Sequence, residues 1–131
     1  MIVMTEEDAR RLGIGGLGAK KRRKYNNHPC EVDGYKFDGL EEAAEYGDLR
    51  IRVMAGEITD LQVHPRFVVC DADEHGRAIV YEADFAYVEN GDQICSDVKA
   101  ANGATITELF RLKFRLCQAR YPMIVWKVVE R

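Results

Sequence analysis

Residues 78–100 read AIVYEADFAYVENGDQICSDVKA, and how this stretch turns back on itself decides the architecture. Two runs of strand character, 78–89 and 92–100, flank Asn90-Gly91. That dipeptide is the strongest short hairpin signal in the chain, because a type I′ turn needs positive φ at both central residues. A two-residue loop pairs Glu89 with Asp92, and counting back pairs Asp84 with Asp97 and Glu82 with Lys99. Side chains two apart share a face of a strand, so Glu82, Asp84, Asp97 and Lys99 are expected on one side. Ile94, Ser96 and Val98 then face a packed layer. Directly opposed Cβ atoms lie about 4.5–5.5 Å apart, and two carboxylates that close repel one another. A divalent cation between them removes the conflict. Mg²⁺ suits such a site, since it prefers oxygen ligands and usually takes one or two carboxylates; Mn²⁺ is expected to substitute.

The elements on either side follow from this hairpin. Toward the N-terminus, VHPRFVVCD (63–71) reads as another strand, after a turn at 55–60. Before it, Asp38 is positioned to cap a helix running to about Met54 and ending near Gly56, with Glu41 completing a capping box. On that helix Glu41, Glu45, Asp48 and Arg52 are expected to meet water. Tyr46, Leu49 and Val53 form the buried side, beside Leu40, Ala43, Gly47, Ile51 and Met54. Glu42 shares the stripe of Tyr46, Leu49 and Val53, which makes it the one acid of the helix expected to point inward. CEVDGYKF (30–37) looks like a hairpin or extended entry with Asp33-Gly34 at its turn. Toward the C-terminus, 105–120 reads as a helix with a Thr105/Glu108 capping box and apolar surface from Leu109, Leu112, Phe114, Leu116 and Cys117. Tyr121-Pro122 stops it, and MIVWKVV (123–129) reads as a strand buried on both faces. The order is helix, three strands, helix, strand: an α/β core with a mixed four-stranded sheet between helices.

At 131 residues the chain suits one domain and not two. Its 47% hydrophobic and 31% charged residues are those of a globular protein, not a disordered one. No apolar run approaches the roughly 20 residues of a membrane span, and MIVM runs directly into TEEDARR without a signal-peptide core. Cys30, Cys70, Cys95 and Cys117 form no CxxC pair, which argues against a zinc knuckle or a disulfide framework. A reduced cytoplasmic setting is expected. The net charge is −3, but its distribution is uneven. Lys20, Lys21, Arg22, Arg23 and Lys24 are consecutive, and Arg111, Lys113, Arg115 and Arg120 cluster near the other end, around an acidic centre. An enzyme acting on a polyanion needs that pattern, although a solvated surface with uneven charge produces it as well. A helix is expected near the start, with Thr5 as its N-cap. GIGGLGA (13–19) has no strand before it and KKRRK after it, so it reads as a linker into a basic arm and not as a dinucleotide loop. The division expected is an arm over 1–24 and a domain over 25–131.

Lys99 sharpens the reading of the hairpin. A lysine two residues beyond a metal-ligating acid can orient or deprotonate an attacking water, or stabilise charge developing on a phosphate. Glu42 could bind a second metal or a metal-bound water. The bland alternative is an exposed face with an ordinary Glu82–Lys99 ion pair, which contributes little. It explains DxK alone, but not the facing Asp84, the inward Glu42 and the basic helix together.

These residues resemble a family. ADF (83–85) followed by SDVK (96–99), with an acid on the preceding helix, resembles the PD-(D/E)xK nuclease superfamily. The runs KYNN, VDGYKFDGLEEAAEY, AGEITDLQVHPRF, EADFAYV, DVKA and FRLKFR are similar to a small, largely uncharacterised phage-encoded family within it, over residues 24–130. The resemblance implies a restriction-endonuclease-like αβββαβ core and divalent-metal hydrolysis of DNA phosphodiesters. It implies catalytic roles for Glu42, Asp84, Asp97 and Lys99, and a metal held by Glu42, Asp84, Asp97 and the Val98 backbone carbonyl. The chain departs from the pattern at Ala83, where the superfamily's name has proline. It departs again at His64, where the phage family has glutamine. His64 could approach the metal or a phosphate, or be a structural histidine.

Arg111, Lys113 and the 20–24 arm are expected to neutralise DNA phosphates, which would give steep salt dependence; for the arm, a solubilising tail is an equal reading. The expected function is an endonuclease of phage recombination or repair, acting on branched DNA such as Holliday junctions. Such resolvases work as homodimers in the cytoplasm of a bacterial host. The alternative is a non-catalytic DNA-binding or assembly module that keeps the fold. RNA as substrate is left open.

Overall fold

The computed structural model describes residues 28–131; the expected Thr5 cap, the glycine-rich linker and the 20–24 arm lie outside them. Strands β1 (Cys30–Val32) and β2 (Tyr35–Phe37) form the expected hairpin. Its turn residues Asp33 and Gly34 both have positive φ, 53° and 82°, as a type I′ turn demands. Helix α1 spans Leu40–Met54. It begins later than a capping box at Asp38 requires. Gly39 is the N-cap, with extended backbone and no side-chain cap, and Glu41 and Glu42 in the first turn complement the exposed amides.

Tyr46 and Leu49 are buried, with Ala43 and Val53 beside them. Leu40, Ile51 and Met54 are exposed, contrary to expectation. At about 100° per residue they lie roughly 120–180° round the helix from the Glu42–Tyr46–Leu49–Val53 stripe. Glu42 points inward, but so does Glu45: each side chain is 12% exposed. Arg131 holds Glu45 and Asp48 at 2.8 Å each.

The central sheet is four-stranded and mixed, in the order β3–β6–β7–β8. Here β3 is Thr59–Val63, β6 Phe85–Glu89, β7 Asp92–Lys99 and β8 Val125–Glu130. The first three pair antiparallel, and β7 runs parallel to β8 through helix α2 (Glu108–Arg120). The β6–β7 register pairs Glu89 with Asp92, and Asn90 and Gly91 have φ of 52° and 82°; the type I′ hairpin is present.

Two expected strands are broken. VHPRFVVCD and the run 78–89 do not continue through the sheet. The first breaks at His64–Pro65 and the second at Ala83–Asp84, leaving β4 (Arg66–Cys70) and β5 (Ile79–Glu82) as a separate antiparallel pair. Pro65 cannot donate to a ladder, and His64 has φ of 54°. Across the break His64 N–H donates to the Asp84 carbonyl and Ala83 N–H to the Pro65 carbonyl, both at 2.9 Å. The two chains therefore bend together. One edge of the central sheet is β3, which begins inside the turn expected at 55–60 and ends at Val63, where the expected strand begins.

Apolar side chains pack on both faces of the sheet. Under α1 lie Phe37, Tyr46, Leu49, Phe85, Tyr87 and Ile94. Under α2 lie Phe67, Tyr81, Cys95, Cys117 and Tyr121, with Phe110, Phe114 and Trp126 against them. Alternation along β7 sends Ile94 and Cys95 to opposite clusters. Thr107, not Thr105, caps α2, accepting from Phe110 N–H at 3.0 Å; Thr105 instead accepts from Ala100 N–H. Leu109, Leu112 and Leu116 are exposed, while Cys117 is buried. The last strand is not buried on both faces, since β8 is an edge strand and Val125 and Val128 are exposed. Among the described residues no helix is long and apolar enough to cross a membrane.

Phe85 is 0% exposed and lies against Phe37 and Tyr46 at ring distances of 6.2 and 6.4 Å. Phe85→Ala is expected to cost about 3–5 kcal/mol, read by urea unfolding of the metal-free protein. A cost under about 1 kcal/mol would contradict a close-packed core here.

Candidate metal centre

The paired chain breaks build the site. Asp84 stands at the break just before β6. His64 stands at the matching break after β3, Glu42 comes from α1, and Asp97 and Lys99 come from the end of β7. Glu42 Oε1 lies 2.8 Å from His64 Nε2. One donor atom each from Glu42, His64 and Asp84 lies within 4.8 Å of the other two. Asp84 Oδ2 accepts from Val98 N–H at 2.7 Å, and the Asp84 and Asp97 carboxyls are in hydrogen-bond contact. Tyr81 donates its hydroxyl to Asp97 Oδ2. Lys99 Nζ lies 3.8 Å from Asp97 Oδ1 and 4.0 Å from the centroid of the Phe110 ring, where the ring quadrupole favours a cation.

Asp97 is 4% exposed. Burial pushes its carboxyl up to about 8; the hydrogen bond and charge of Asp84 add to this, while Lys99 and Tyr81 oppose it. Burial likewise raises Asp84 to about 6, with the Glu42 charge adding and Asp97 and Val98 N–H opposing. Burial and mutual repulsion outweigh the opposing charge of Lys99, so the metal-free pair favours holding one proton between the two carboxyls. For His64, burial disfavours the imidazolium, but the hydrogen bond and charge of Glu42, helped by Glu82 and Asp84, raise its pKa overall. Burial and the Asp97 charge push the Tyr81 phenol far up, so it stays a donor.

The residues expected to act together do meet, as a chain of contacts: Glu42 with Asp84, Asp84 with Asp97, Asp97 with Lys99. The register Phe85–Ser96 brings Asp84 level with Asp97 as expected, although the ladder ends there. The expected Glu82–Lys99 pairing is not made. The bend at Ala83–Asp84 carries Glu82 into the outer ladder, opposite Arg66, which it binds at 3.0 Å. Asp97 is not one of the three mutually close donors, and His64 is. Val98, expected to offer its carbonyl, contributes its N–H to Asp84. Lys113 donates to the Val80 carbonyl at 3.0 Å, so its ammonium is engaged within the fold, whereas Arg111 is exposed on α2.

Sequence reasoning missed Tyr81. In one continuous strand, residues 81 and 84 point to opposite faces. The break between them resets the alternation and brings Tyr81 to the Asp97 side. His64-Pro65 was the available signal, since a proline inside a strand reading argues for a break. Phe110, the ring beneath Lys99, was also missed, because nothing in the sequence relates a helix residue to the end of β7.

A family model described as "Protein of unknown function (DUF1064)" matches residues 22–131. Comparisons with curated proteins and with solved structures give no match.

Proposed function

This chain belongs to the DUF1064 family, and we propose that it is a divalent-metal-dependent endonuclease that hydrolyses DNA phosphodiesters. The observation that carries the reading is the convergence of Glu42, Asp84, Asp97 and Lys99 from a helix, the bend before β6 and the end of β7. Stability alone gives no reason to bury acids against one another. A structural ion pair would need one acid for Lys99, not a row of three.

The donor set fits a hard or borderline divalent ion, with Glu42 and Asp84 to hold it and Asp97 beside them. When bound, such an ion supplies Lewis-acid polarisation of a phosphoryl oxygen and lowers the pKa of water. Asp84, steadied by Val98 N–H, presents its carboxylate at a fixed angle. Asp97 is oriented by the Tyr81 hydroxyl and holds the Lys99 ammonium at the cleft. Lys99, its ammonium over the Phe110 ring, orients the attacking water and stabilises charge developing on the phosphate. Exposed Arg111 is available to neutralise a flanking phosphate. Branched DNA is the proposed substrate, because shape and phosphates can be read without base contacts.

The test is cleavage of labelled linear duplex, single strand, flap and four-way junction in Mg²⁺ or Mn²⁺, by wild type and Asp97→Ala. Cutting that needs metal and is lost in the variant supports the proposal, and a preference for the junction supports branched DNA. If nothing is cut while both proteins bind DNA equally, the chain is a binding module and the nuclease reading fails.

A further inference from the structure

We infer that His64 is itself a metal ligand, and that with Glu42 and Asp84 it forms a mixed nitrogen–oxygen centre that favours first-row transition ions over Mg²⁺. This rests on the reading of the cleft as a metal centre, and it goes further by naming the class of ion. The three mutually close donors are two carboxylates and one imidazole. An all-oxygen set suits Mg²⁺, whereas an imidazole ligand suits the later first-row ions, with affinity rising from Mn²⁺ through Fe²⁺ to Co²⁺.

The imidazole is aimed. Its Nε2 lies 2.8 Å from Glu42 Oε1. Adjacent donors of an octahedral ion with bonds of about 2.1 Å lie about 3 Å apart, so the two atoms already have close to the spacing of neighbouring ligands. The ring packs against Phe37, with centroids 5.7 Å apart. The backbone is fixed too, since His64 N–H donates to the carbonyl of Asp84 at 2.9 Å. One proposed ligand thereby positions the main chain of another. At the same break His64 takes φ of 54°, a conformation that a residue before proline disfavours. His64 continues the register that pairs Val63 with Phe85, so it stands opposite Asp84 at the point where both chains turn. The bend that costs strain is the one that assembles the donor set.

The experiment is calorimetric titration of the full-length protein, without DNA, with Mg²⁺, Mn²⁺ and Co²⁺, comparing wild type with His64→Gln. Glutamine can keep the hydrogen bond to Glu42 but offers no imidazole. Wild type is expected to bind Co²⁺ and Mn²⁺ at least 10-fold more tightly than Mg²⁺. His64→Gln should lose at least 10-fold in Co²⁺ affinity and leave Mg²⁺ within about 2-fold, the size of effect a first-coordination or supporting group carries. Unchanged Co²⁺ affinity in the variant overturns the inference. So do equal losses for Co²⁺ and Mg²⁺, which mark a structural histidine, and so does a wild type that binds no ion. Should His64→Gln not fold, His64→Asn serves, because asparagine tolerates positive φ. Since the readout is binding, a wild type with this preference that cuts no DNA would refute the nuclease and keep the centre.

Discussion

Replacing Asp97 by asparagine is expected to stabilise the metal-free protein at pH 8 while abolishing metal-dependent cleavage, a loss of at least about 10³-fold. The substituted side chain would keep the shape of the original. Its amide oxygen can accept from the Tyr81 hydroxyl that now bonds Asp97 Oδ2. Its amide nitrogen can donate to Asp84, in place of the proton the two carboxyls share. What disappears is the cost of ionising a second buried carboxyl beside the first.

The sign of the pH dependence follows. In the unfolded chain Asp97 titrates at about 4; in the folded protein burial and Asp84 hold it at about 8. Between these values the folded state binds a proton that the unfolded state has released. The associated stability is therefore complete below the unfolded value and is lost as pH rises through about 8. Asp84, raised to about 6, acts in the same direction. Metal-free wild type should melt at a lower temperature at pH 8 than at pH 5.5. On the order of 2 kcal/mol is expected from this source, or roughly 5–10 °C. Asp97→Asn should flatten the slope, and added divalent metal should flatten it in wild type by replacing the shared proton. Differential scanning calorimetry from pH 5 to pH 9 reads all three. A variant whose melting temperature falls with pH as steeply as wild type's would remove the acid pair as the cause.

Lys99→Met is expected to slow cleavage by about 10²–10⁴-fold with metal affinity little changed. Methionine keeps an unbranched apolar stem against Phe110, where the lysine ammonium lies 4.0 Å from the ring centroid, so the fold should survive. The ammonium 3.8 Å from Asp97 Oδ1 lowers the pKa of Asp97. Its removal should therefore move the acid limb of the pH–rate profile to higher pH. Single-turnover cleavage from pH 6 to pH 9.5, beside calorimetric metal binding, separates this from a folding defect. Cleavage within about threefold of wild type, or an unmoved profile, would assign Lys99 to a surface ion pair.

Much of the architecture is local chemistry and can be read from the chain. Asn90-Gly91 sets a register that brings Asp84 level with Asp97, because two consecutive positive-φ residues allow one kind of turn. The stripe of Glu42, Tyr46, Leu49 and Val53 turns Glu42 inward because helical spacing leaves no other face for it. Those two short-range facts were enough to name three acids and a lysine that meet.

The remainder depends on a bend shared by two chains distant in sequence. Nothing local says that a kink at His64-Pro65 will be matched by one at Ala83-Asp84, since the hydrogen bonds joining them cross from residue 64 to 84 and from 83 to 65. That paired kink removes Glu82 from the site, turns Tyr81 onto Asp97 and brings His64 within reach of Glu42. Burial is likewise a property of the assembled layers. It is packing between α1, the sheet and α2 that desolvates Asp97 and makes the acids share a proton. Local sequence thus names the residues able to do chemistry and the hairpin that joins two of them. Which of them share a cleft, and at what pH they are charged, emerges only from the packed fold, because alternation along a strand predicts faces only while the strand stays straight.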